Sequence, residues 1–315
     1  MMNVDVNLLG EFEDALDPAF PEKSRIMPEI LGYGEISTTF SLASMPDIAF
    51  KRMPPFKTID QIAAYKTAVI KYCSLLSDVC GIRVSDYAFH EFFNCHKEHI
   101  LYVAQPRLAQ ETIGHNVLKS GTLDELEPMI NALLKRLFRL FRFNYKNNQK
   151  ESIGLDGQLS NWSFQLSGKN ESDPVYFDIT TPLYRVNGNE QLDTEIFLKS
   201  CPSFMVWLVR WQFLDEVLDR YHDLRMILID LIANFHKEGR EDLIDDALSM
   251  INSYLVKENL DTKIQPLEKT EIDRYYKGDA FIWALFLSLR RFDRFMKTKI
   301  FQQRYNFILP GKITR

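Results

Sequence analysis

The strongest constraint on the fold is a change of sequence pattern near residue 107. Before this point, residues 29–106 contain short runs of β-branched and aromatic residues separated by Gly- and Pro-containing turns, which is typical of strands. After it, apolar residues recur mostly at helical spacing, with one exception at 151–185. The sequence therefore predicts an α+β protein, with a small antiparallel sheet followed by a larger helical part.

The predicted elements of the first part follow the order β-β-β-α-β-β. They are a short helix or arm at 11–25, three strands between 29 and 53, a helix at 58–79, and two strands at 86–93 and 99–106. Pro46 and Asp47 predict the turn before the third strand. Thr58 is the predicted N-cap of the helix and Gly81 its C-terminal cap.

The second part is predicted to follow a linker at 106–116. Its first long helix, from Leu123 to Phe143, has acidic residues in its first turns and basic residues in its last, which suits the helix dipole. Further helical runs are predicted at 194–200, 203–237, 240–258 and 268–304. The predicted domains are therefore 1–106 and 107–315.

The exception at 151–185 has the pattern of a hairpin. Two short apolar runs, 162–166 and 174–178, flank a polar connection. Asp156 and Asn161 lie before or at the start of the first strand, and Asp178 ends the second, so we expect their oxygen atoms to converge at one end of the hairpin. Oxygen ligands of this kind suit a magnesium ion and a phosphate.

Two features of the strand-rich part are candidate phosphate contacts. Gly32 and Gly34, with Ser37 after them, lie between the first two strands, where glycine lets the backbone approach phosphate oxygens closely. Lys51 lies on the third strand. Taken singly, a strand lysine is more often solvated, and Asp and Asn often serve only to turn a loop.

Together, in this order and on these elements, these residues resemble the protein kinase-like fold, and most closely its aminoglycoside and choline kinase-like phosphotransferases. The resemblance covers the chain from about residue 29 onward. It implies two lobes: 1–106 holds the nucleotide, and 107–315 is helical and carries the catalytic and metal-binding hairpin 151–185. It also implies ATP and Mg²⁺ as cofactors and a small-molecule acceptor with a hydroxyl or an amine.

The resemblance implies a role for each matched residue. Asp156 would orient the acceptor and accept its proton, while Asn161 and Asp178 would hold magnesium. The implied nucleotide contacts are Gly32, Gly34, Ser37, Lys51 and Gln105. Gln105 belongs to the segment 104–110, against which the adenine would lie.

The chain also departs from the family's pattern. Gly154 and Leu155 precede Asp156, where the family usually has a histidine and an arginine, and the glycine that usually follows the metal aspartate is missing. The helix at 58–79 contains no glutamate to pair with Lys51, which leaves Asp178 or Asp60 as the expected partner. Two hypotheses therefore stay open: an active phosphotransferase, and a catalytically degenerate relative that binds nucleotide or a protein partner.

Composition narrows the alternatives. The net charge of −5 gives no reason to expect nucleic acid or an anionic membrane as a partner, and the basic helix faces are interpreted as solvated. No secretory signal or apolar run long enough to span a bilayer is predicted. The four cysteines lack metal-site spacing, which favours reduced thiols and a cytoplasmic protein. The identity of the acceptor and the oligomeric state are left open.

Overall fold

A computed structural model describes residues 2–34, 36–147, 150–164, 173–199, 201–202, 204–208, 214–258 and 264–311. Its strands are β1 (Glu29–Tyr33), β2 (Thr38–Leu42), β3 (Met45–Arg52), β4 (Arg83–Val84), β5 (Ala88–Phe93), β6 (His99–Pro106), β7 (Glu151–Ile153), β8 (Trp162–Ser163), β9 (Val175–Tyr176), β10 (Tyr184–Val186) and β11 (Asn189–Glu190). Its α-helices are α1 (Val6–Ala15), α2 (Ile59–Ser74), α3 (Gly114–Ser120), α4 (Leu123–Lys146), α5 (Thr194–Lys199), α6 (Val206–Leu208), α7 (Leu214–Arg220), α8 (Leu224–Lys237), α9 (Ile244–Lys257) and α10 (Lys269–Phe295). The prediction of a mixed α+β protein with an antiparallel sheet is confirmed.

The main sheet has five antiparallel strands in the order β1-β2-β3-β6-β5, with α2 between β3 and β4 in the chain. The predicted turn at Pro46-Asp47 is wrong, because the chain turns three residues earlier, at 43–44, and both residues lie inside β3. Pro46 is tolerated there because it is the second residue of the strand and the pairing with β6 begins only at Ile48. The N–H that Pro46 lacks would therefore not have bonded to β6.

Helix α2 begins and ends as its sequence predicts. The hydroxyl of Thr58 accepts the backbone N–H of Gln61 at 3.3 Å, which caps the first turn. After a π-helical turn at Leu75–Val79, Gly81 adopts a φ of +62°, a left-handed conformation that glycine takes without strain. The helix packs a buried apolar face, including Val69, into the core beneath the main sheet.

The outer face of the main sheet is covered by α1, which begins after the N-cap Asp5 and so starts earlier than the predicted 11–25. Its apolar residues, Leu9 and Phe12 among them, form a buried cluster with the sheet residues Phe40 and Tyr102. This burial stabilises α1, since a ten-residue helix would be marginal alone.

Glu13 of α1 is buried in this cluster, with 1% of its surface exposed. Arg52 of β3 donates two hydrogen bonds to its carboxylate, at 2.7 and 2.8 Å. The hydroxyl of Tyr102 and the amide of Asn94 donate two more. Because side chains alternate along a strand, Arg52 faces α1 while the preceding Lys51 faces the opposite side of the sheet.

The helical part shares one buried core with the inner face of the main sheet. Residues from α2, β6, α4 and α8, for example Val69, Leu101, Leu133 and Ile232, belong to the same apolar cluster. The predicted run 203–237 is broken, because α7 ends at Arg220 and Asp223 caps a new helix, α8. The division into domains at residue 106 stays a prediction.

Beyond α10, a π-helical turn at Met296–Ile300 leads to residues 301–311, called here the C-terminal strap, where helix was predicted as far as 304. The strap returns to the amino-terminal part of the chain. The carbonyl of Ile308 accepts a hydrogen bond from the hydroxyl of Thr38 at 3.1 Å, and the carbonyl of Asn306 accepts one from a guanidinium N–H of Arg52 at 3.2 Å.

In the described ranges, no helix combines the length and the apolar character needed to cross a bilayer.

Candidate functional site

Lys51 lies on β3, where it pairs with Thr39 of β2 and Val103 of β6. Its side chain is only 8% exposed, and its Nζ lies 2.6 Å from Oδ1 of Asp178. Of the two partners expected for this lysine, the structure therefore has Asp178 rather than Asp60. A cation held in a nearly buried position by a single carboxylate is well placed to attract a phosphate as well.

Asp178 is positioned by the predicted hairpin, which is present as the antiparallel pair β8–β9. Its polar connection, 165–172, lies outside the described residues. The backbone N–H of Phe177 donates to the carbonyl of Asn161 at 3.1 Å, so Asn161 is joined to the residue before Asp178. Behind Asp178, the hydroxyl of Tyr65 of α2 donates to the carbonyl of Thr180 at 2.7 Å, which fixes the end of the hairpin.

Asp156 lies in the loop between β7 and β8. Its Oδ1 accepts the backbone N–H of Gln158 at 3.1 Å, and its carbonyl accepts the side-chain amide of Asn161 at 3.5 Å. The hydroxyl of Tyr72 of α2 donates to the carbonyl of Gly154 at 3.0 Å. These bonds hold the loop from both sides and link the orientation of Asp156 to that of Asn161.

No side chain fits at position 154 unless its neighbours shift. A Cβ at this position would lie 2.9 Å from Nε2 of His222 and 3.0 Å from the carbonyl of Tyr221. The same Tyr221 carbonyl accepts the N–H of Leu155 at 2.9 Å, so the loop is pressed against the turn before α8. A larger residue is excluded at 154 because the imidazole of His222 already occupies that space.

The electrostatic environment of Asp156 favours its protonated form. Burial raises the pKa of Asp156 to about 7, and the neighbouring carboxylates of Asp230 and Asp178 add to the effect. Burial also raises the pKa of Asp230, to about 6, with a further contribution from Asp279. Near neutral pH, Asp156 therefore exchanges a proton readily, which is the property required of a general base.

The turn between β1 and β2 depends on glycine at position 34. The backbone N–H of Gly34 donates to the carbonyl of Ser37 at 2.9 Å, and a Cβ on Gly34 would lie 2.8 Å from that oxygen. At Gly32, by contrast, a Cβ would have no described atom within 4 Å. Glu35, within the predicted phosphate-binding turn, lies outside the described residues.

One cavity of about 470 Å³ brings the predicted site residues together. Its walls include all eight of them: Gly32, Gly34, Ser37, Lys51, Gln105, Asp156, Asn161 and Asp178. The side chain of Gln105 is almost entirely buried, and its Nε2 has no hydrogen-bond partner among the described residues. A buried amide without a partner is rare in a folded protein and marks a position where a ligand atom can complete the bonding.

The opposite wall of the cavity was not predicted from the sequence. It includes His115 of α3, Tyr221 before α8, Lys237 at the end of α8, and Asp279 and Trp283 of α10. These residues are far apart in the chain, and their helices show only the spacing of a buried face. No local signal in the sequence distinguishes them from other partly exposed helix residues.

The oxygen donors of the cavity fit a magnesium ion that is shared with phosphate. Asp178 supplies a carboxylate and Asn161 an amide oxygen, and Mg²⁺ takes one or two such protein ligands together with substrate phosphates. Among the described residues, no three His, Cys, Asp or Glu side chains are grouped closely enough to hold a metal ion. The donor set therefore fits a metal that arrives with a nucleotide rather than a permanent structural ion.

Comparisons with known proteins identify a protein family and a similar solved structure. The model of a protein family described as "Family of unknown function (DUF6206)" matches residues 29–294. No curated protein matches the sequence. Among solved structures, the chain is similar to WaaP in complex with acyl carrier protein, with 12% identity, 78% of this chain and 98% of that chain covered, and a TM-score of 0.34.

Proposed function

The chain belongs to the family of unknown function DUF6206, and we propose that it is a kinase-like phosphotransferase that moves the γ-phosphate of ATP to a hydroxyl or amine of a small molecule. The observation that carries the proposal is the cavity of about 470 Å³. Eight residues chosen from sequence motifs alone, spread between positions 32 and 178, all line it. A set of unrelated loop and strand residues has no physical reason to converge in this way.

The nucleotide is proposed to lie along the main sheet. Gly32, Gly34 and Ser37 line the cavity and Gly32 leaves open space for the phosphates, while Lys51 offers its ammonium group. Gln105 lies deeper, on β6, opposite Ala49 of β3 in the sheet. Its unpartnered amide is placed to hydrogen-bond the base.

Magnesium is proposed to bind at Asp178 and Asn161, where it would supply neutralisation of the phosphate charge. Lys51 keeps Asp178 in place through the 2.6 Å ion pair, and the β8–β9 pairing keeps Asn161 beside it. The protein's own contribution is therefore to position charges before the reaction, which is the main requirement of phosphoryl transfer.

The acceptor is proposed to bind against the helical wall, near Asp279 and Trp283, with its reacting group at Asp156. As the acceptor oxygen or nitrogen bonds to phosphorus and the bond from the γ-phosphorus to the bridging oxygen breaks, the acceptor's proton moves to a carboxylate oxygen of Asp156. The raised pKa of Asp156 matches this task, because the group is ionised often enough near pH 7 to accept a proton and then holds it.

The second candidate function is binding of nucleotide without catalysis. The observation that favours it is the partner of Lys51: α2 carries no glutamate, so the lysine is held by the same aspartate that is proposed to bind the metal. In this alternative, the cavity binds a nucleotide, and a protein partner recognises the surface of the nucleotide-bound protein. The two candidates share a binding site and differ only in turnover.

Thermal unfolding with and without ATP, in magnesium and in EDTA, tests both candidates. A ligand at a hundred times its dissociation constant stabilises the native state by about 2.7 kcal/mol, so we expect a clear rise in Tm with MgATP. Lys51→Met and Asp178→Asn should lose this rise, whereas Lys66→Met, a substitution on the exposed side of α2, should keep it. If MgATP leaves the Tm of the wild type unchanged, both candidate functions are wrong.

Turnover then separates the two candidates. For the phosphotransferase, consumption of ATP in the presence of a library of small hydroxyl and amine compounds should stop in Asp156→Asn while the Tm shift with MgATP remains. A Tm shift with no consumption in the wild type for any compound, and no difference in Asp156→Asn, would favour the binding protein.

A further inference from the structure

The outer side of α10 carries a regular apolar stripe. Positions 281, 285, 288, 292 and 295 follow one another at intervals of four and three residues, which is the spacing of the seam along which two helices pair. All five residues are exposed: Phe281, Leu285, Ser288, Phe292 and Phe295. A stripe of this kind on a helix of a folded protein requires an explanation, because core packing uses the opposite face of the same helix.

None of the five stripe residues carries a charge, and the charged residues on the adjoining turns of α10 are engaged in contacts. Arg291 donates to the carbonyls of Pro310 and Gly311 in the C-terminal strap. Arg294 donates to the carbonyl of Ala19, and Asp293 is paired with Lys297. Ser288 donates its hydroxyl to the carbonyl of Ala284 within the helix, so it leaves no unsatisfied donor on the stripe.

Neighbouring residues widen this stripe into a surface, called here the α10 face. Ile282 adjoins the stripe, and the rings of Phe204 and Phe292 pack edge to face at 6.1 Å. The α10 face consists of Phe204, Phe281, Ile282, Leu285, Phe292 and Phe295. With whole aromatic side chains of about 150–250 Å², the exposed parts of these residues sum to roughly 700 Å². This exceeds the largest apolar patch of a typical monomer, about 300–600 Å².

We propose that the α10 face binds the α10 face of a second copy of this chain, which makes the protein a two-fold symmetric homodimer. The roughly 700 Å² available on each copy is within the range that one partner contributes to a stable interface, about 600–1,000 Å². The residues of the face are themselves uncharged, so an identical apolar face complements them without leaving a buried charge unpaired. A repeat of four and three residues allows the two α10 helices to pack along their length.

The proposed dimer would affect the wall of the cavity, but it does not depend on the function proposed for the cavity. The inner side of α10 carries Asp279 and Trp283, which line the cavity, while the outer side carries the stripe. Dimerisation would therefore fix the helix that forms the acceptor wall. The dimer and the phosphotransferase are independent proposals, since mass and nucleotide binding are measured separately.

Sedimentation equilibrium and light scattering of the full-length protein over a range of concentrations test the dimer. We expect twice the monomer mass for the wild type and the monomer mass for the double variant Phe281→Glu/Phe292→Glu. The matched control is Ile70→Glu on α2, because Ile70 is 51% exposed and Phe292 is 53% exposed, yet Ile70 lies outside the α10 face. Circular dichroism of each variant confirms that it is folded.

Two further measurements keep the proposal testable if the double variant does not fold. Ser288→Cys, near the middle of the stripe, should form a disulfide-linked dimer on mild oxidation, and the wild type under the same conditions should not. A wild type that is monomeric at every concentration would overturn the proposal, as would a dimer that persists in the folded double variant. If the protein is monomeric and floats with anionic lipid vesicles, the α10 face binds a membrane surface and not a second copy of the chain, and the proposal is wrong.

Discussion

Lys51 and Asp178 are joined by a 2.6 Å ion pair across 127 residues of sequence. The pair connects β3 of the main sheet to the end of the β8–β9 hairpin, and α2 has no glutamate that could pair with Lys51 instead. Both residues line the cavity, so the contact that holds the site together is also one that a ligand would use.

Lys51→Met should destabilise the protein by about 1–3 kcal/mol, because it leaves Asp178 partly buried without its cation. Urea unfolding measures this loss, and Asp178→Asn on the Lys51→Met background should recover part of it. Lys66→Met removes an exposed ion pair with Glu91 and should cost less than about 1 kcal/mol. Equal losses in the two lysine variants would contradict the structural role of the Lys51–Asp178 pair.

Asp156→Asn should stabilise the protein increasingly as the pH rises. The folded state raises the pKa of Asp156 from 3.8 to about 7 through burial and the nearby carboxylates, so the folded form binds the proton more tightly. The stability that this proton supplies is complete at pH values below the pKa of Asp156 in the unfolded state. It is lost as the pH rises through the pKa of Asp156 in the folded state. Asn, which is always neutral, avoids this loss.

The gain of Asp156→Asn over the wild type should grow by at most about 1.4 kcal/mol per pH unit up to about pH 7 and then level off. Urea unfolding at several pH values measures it, with the exposed Asp86→Asn as the control. Asp230→Asn should weaken the dependence, because Asp230 contributes to the raised pKa. A gain that does not change with pH would show that Asp156 is not held in its protonated form.

Gly34→Ala should destabilise the protein, whereas Gly32→Ala should not. The added Cβ at Gly34 would lie 2.8 Å from the carbonyl of Ser37, a backbone atom that cannot move without opening the turn, so we expect a loss of about 1 kcal/mol or more. At Gly32 no described atom lies within 4 Å, and alanine should be neutral or stabilising by up to about 1 kcal/mol. Chemical denaturation of both variants decides the matter, and equal effects would contradict the tight turn at Gly34.

Glu13→Gln should cost about 3–5 kcal/mol, because it leaves the guanidinium of Arg52 buried without a counter-charge. Although burial raises the pKa of Glu13, its bonds and charge interaction with Arg52, together with Tyr102 and Asn94, outweigh burial and lower it below 4.5. The stability supplied by ionised Glu13 is therefore present above pH 4.5 and lost on further acidification.

Acid titration of folding, followed by circular dichroism, should show a smaller loss of stability below about pH 4.5 in Glu13→Gln than in the wild type. Glu91→Gln, which removes an exposed carboxylate, serves as the control. A Glu13→Gln variant as stable as the wild type would mean that the buried network contributes nothing to holding α1 on the sheet.

The sequence predicts those parts of the fold that depend on neighbours in the chain. The cap at Thr58, the left-handed glycine at 81 and the β8–β9 hairpin all follow from local propensity, and all three are present. The turn at Pro46 and Asp47 was predicted wrongly, because the pairing of β3 with β2 and β6 outweighs the local preference of proline for turns.

The parts of the site that the sequence does not reveal depend on contacts across the fold. Asp230 and Asp279 act on the site from α8 and α10, and His222 excludes a side chain at Gly154 from the turn before α8. Each of these residues is ordinary for its helix or turn. Only the packing of the helical part against the loop at Asp156 gives them a role.

The C-terminal strap has a consequence for how the fold forms. The hydrogen bond between Thr38 and Ile308 spans 270 residues, so β2 receives one of its contacts from a segment very distant in the chain. Contacts of such long separation form late, since the entropy of closing the intervening chain must be overcome first. The main sheet therefore gains this hydrogen bond only when the intervening 270 residues are arranged, so the strand beside the glycine turn is completed last by a contact that its own neighbours in the sheet do not supply.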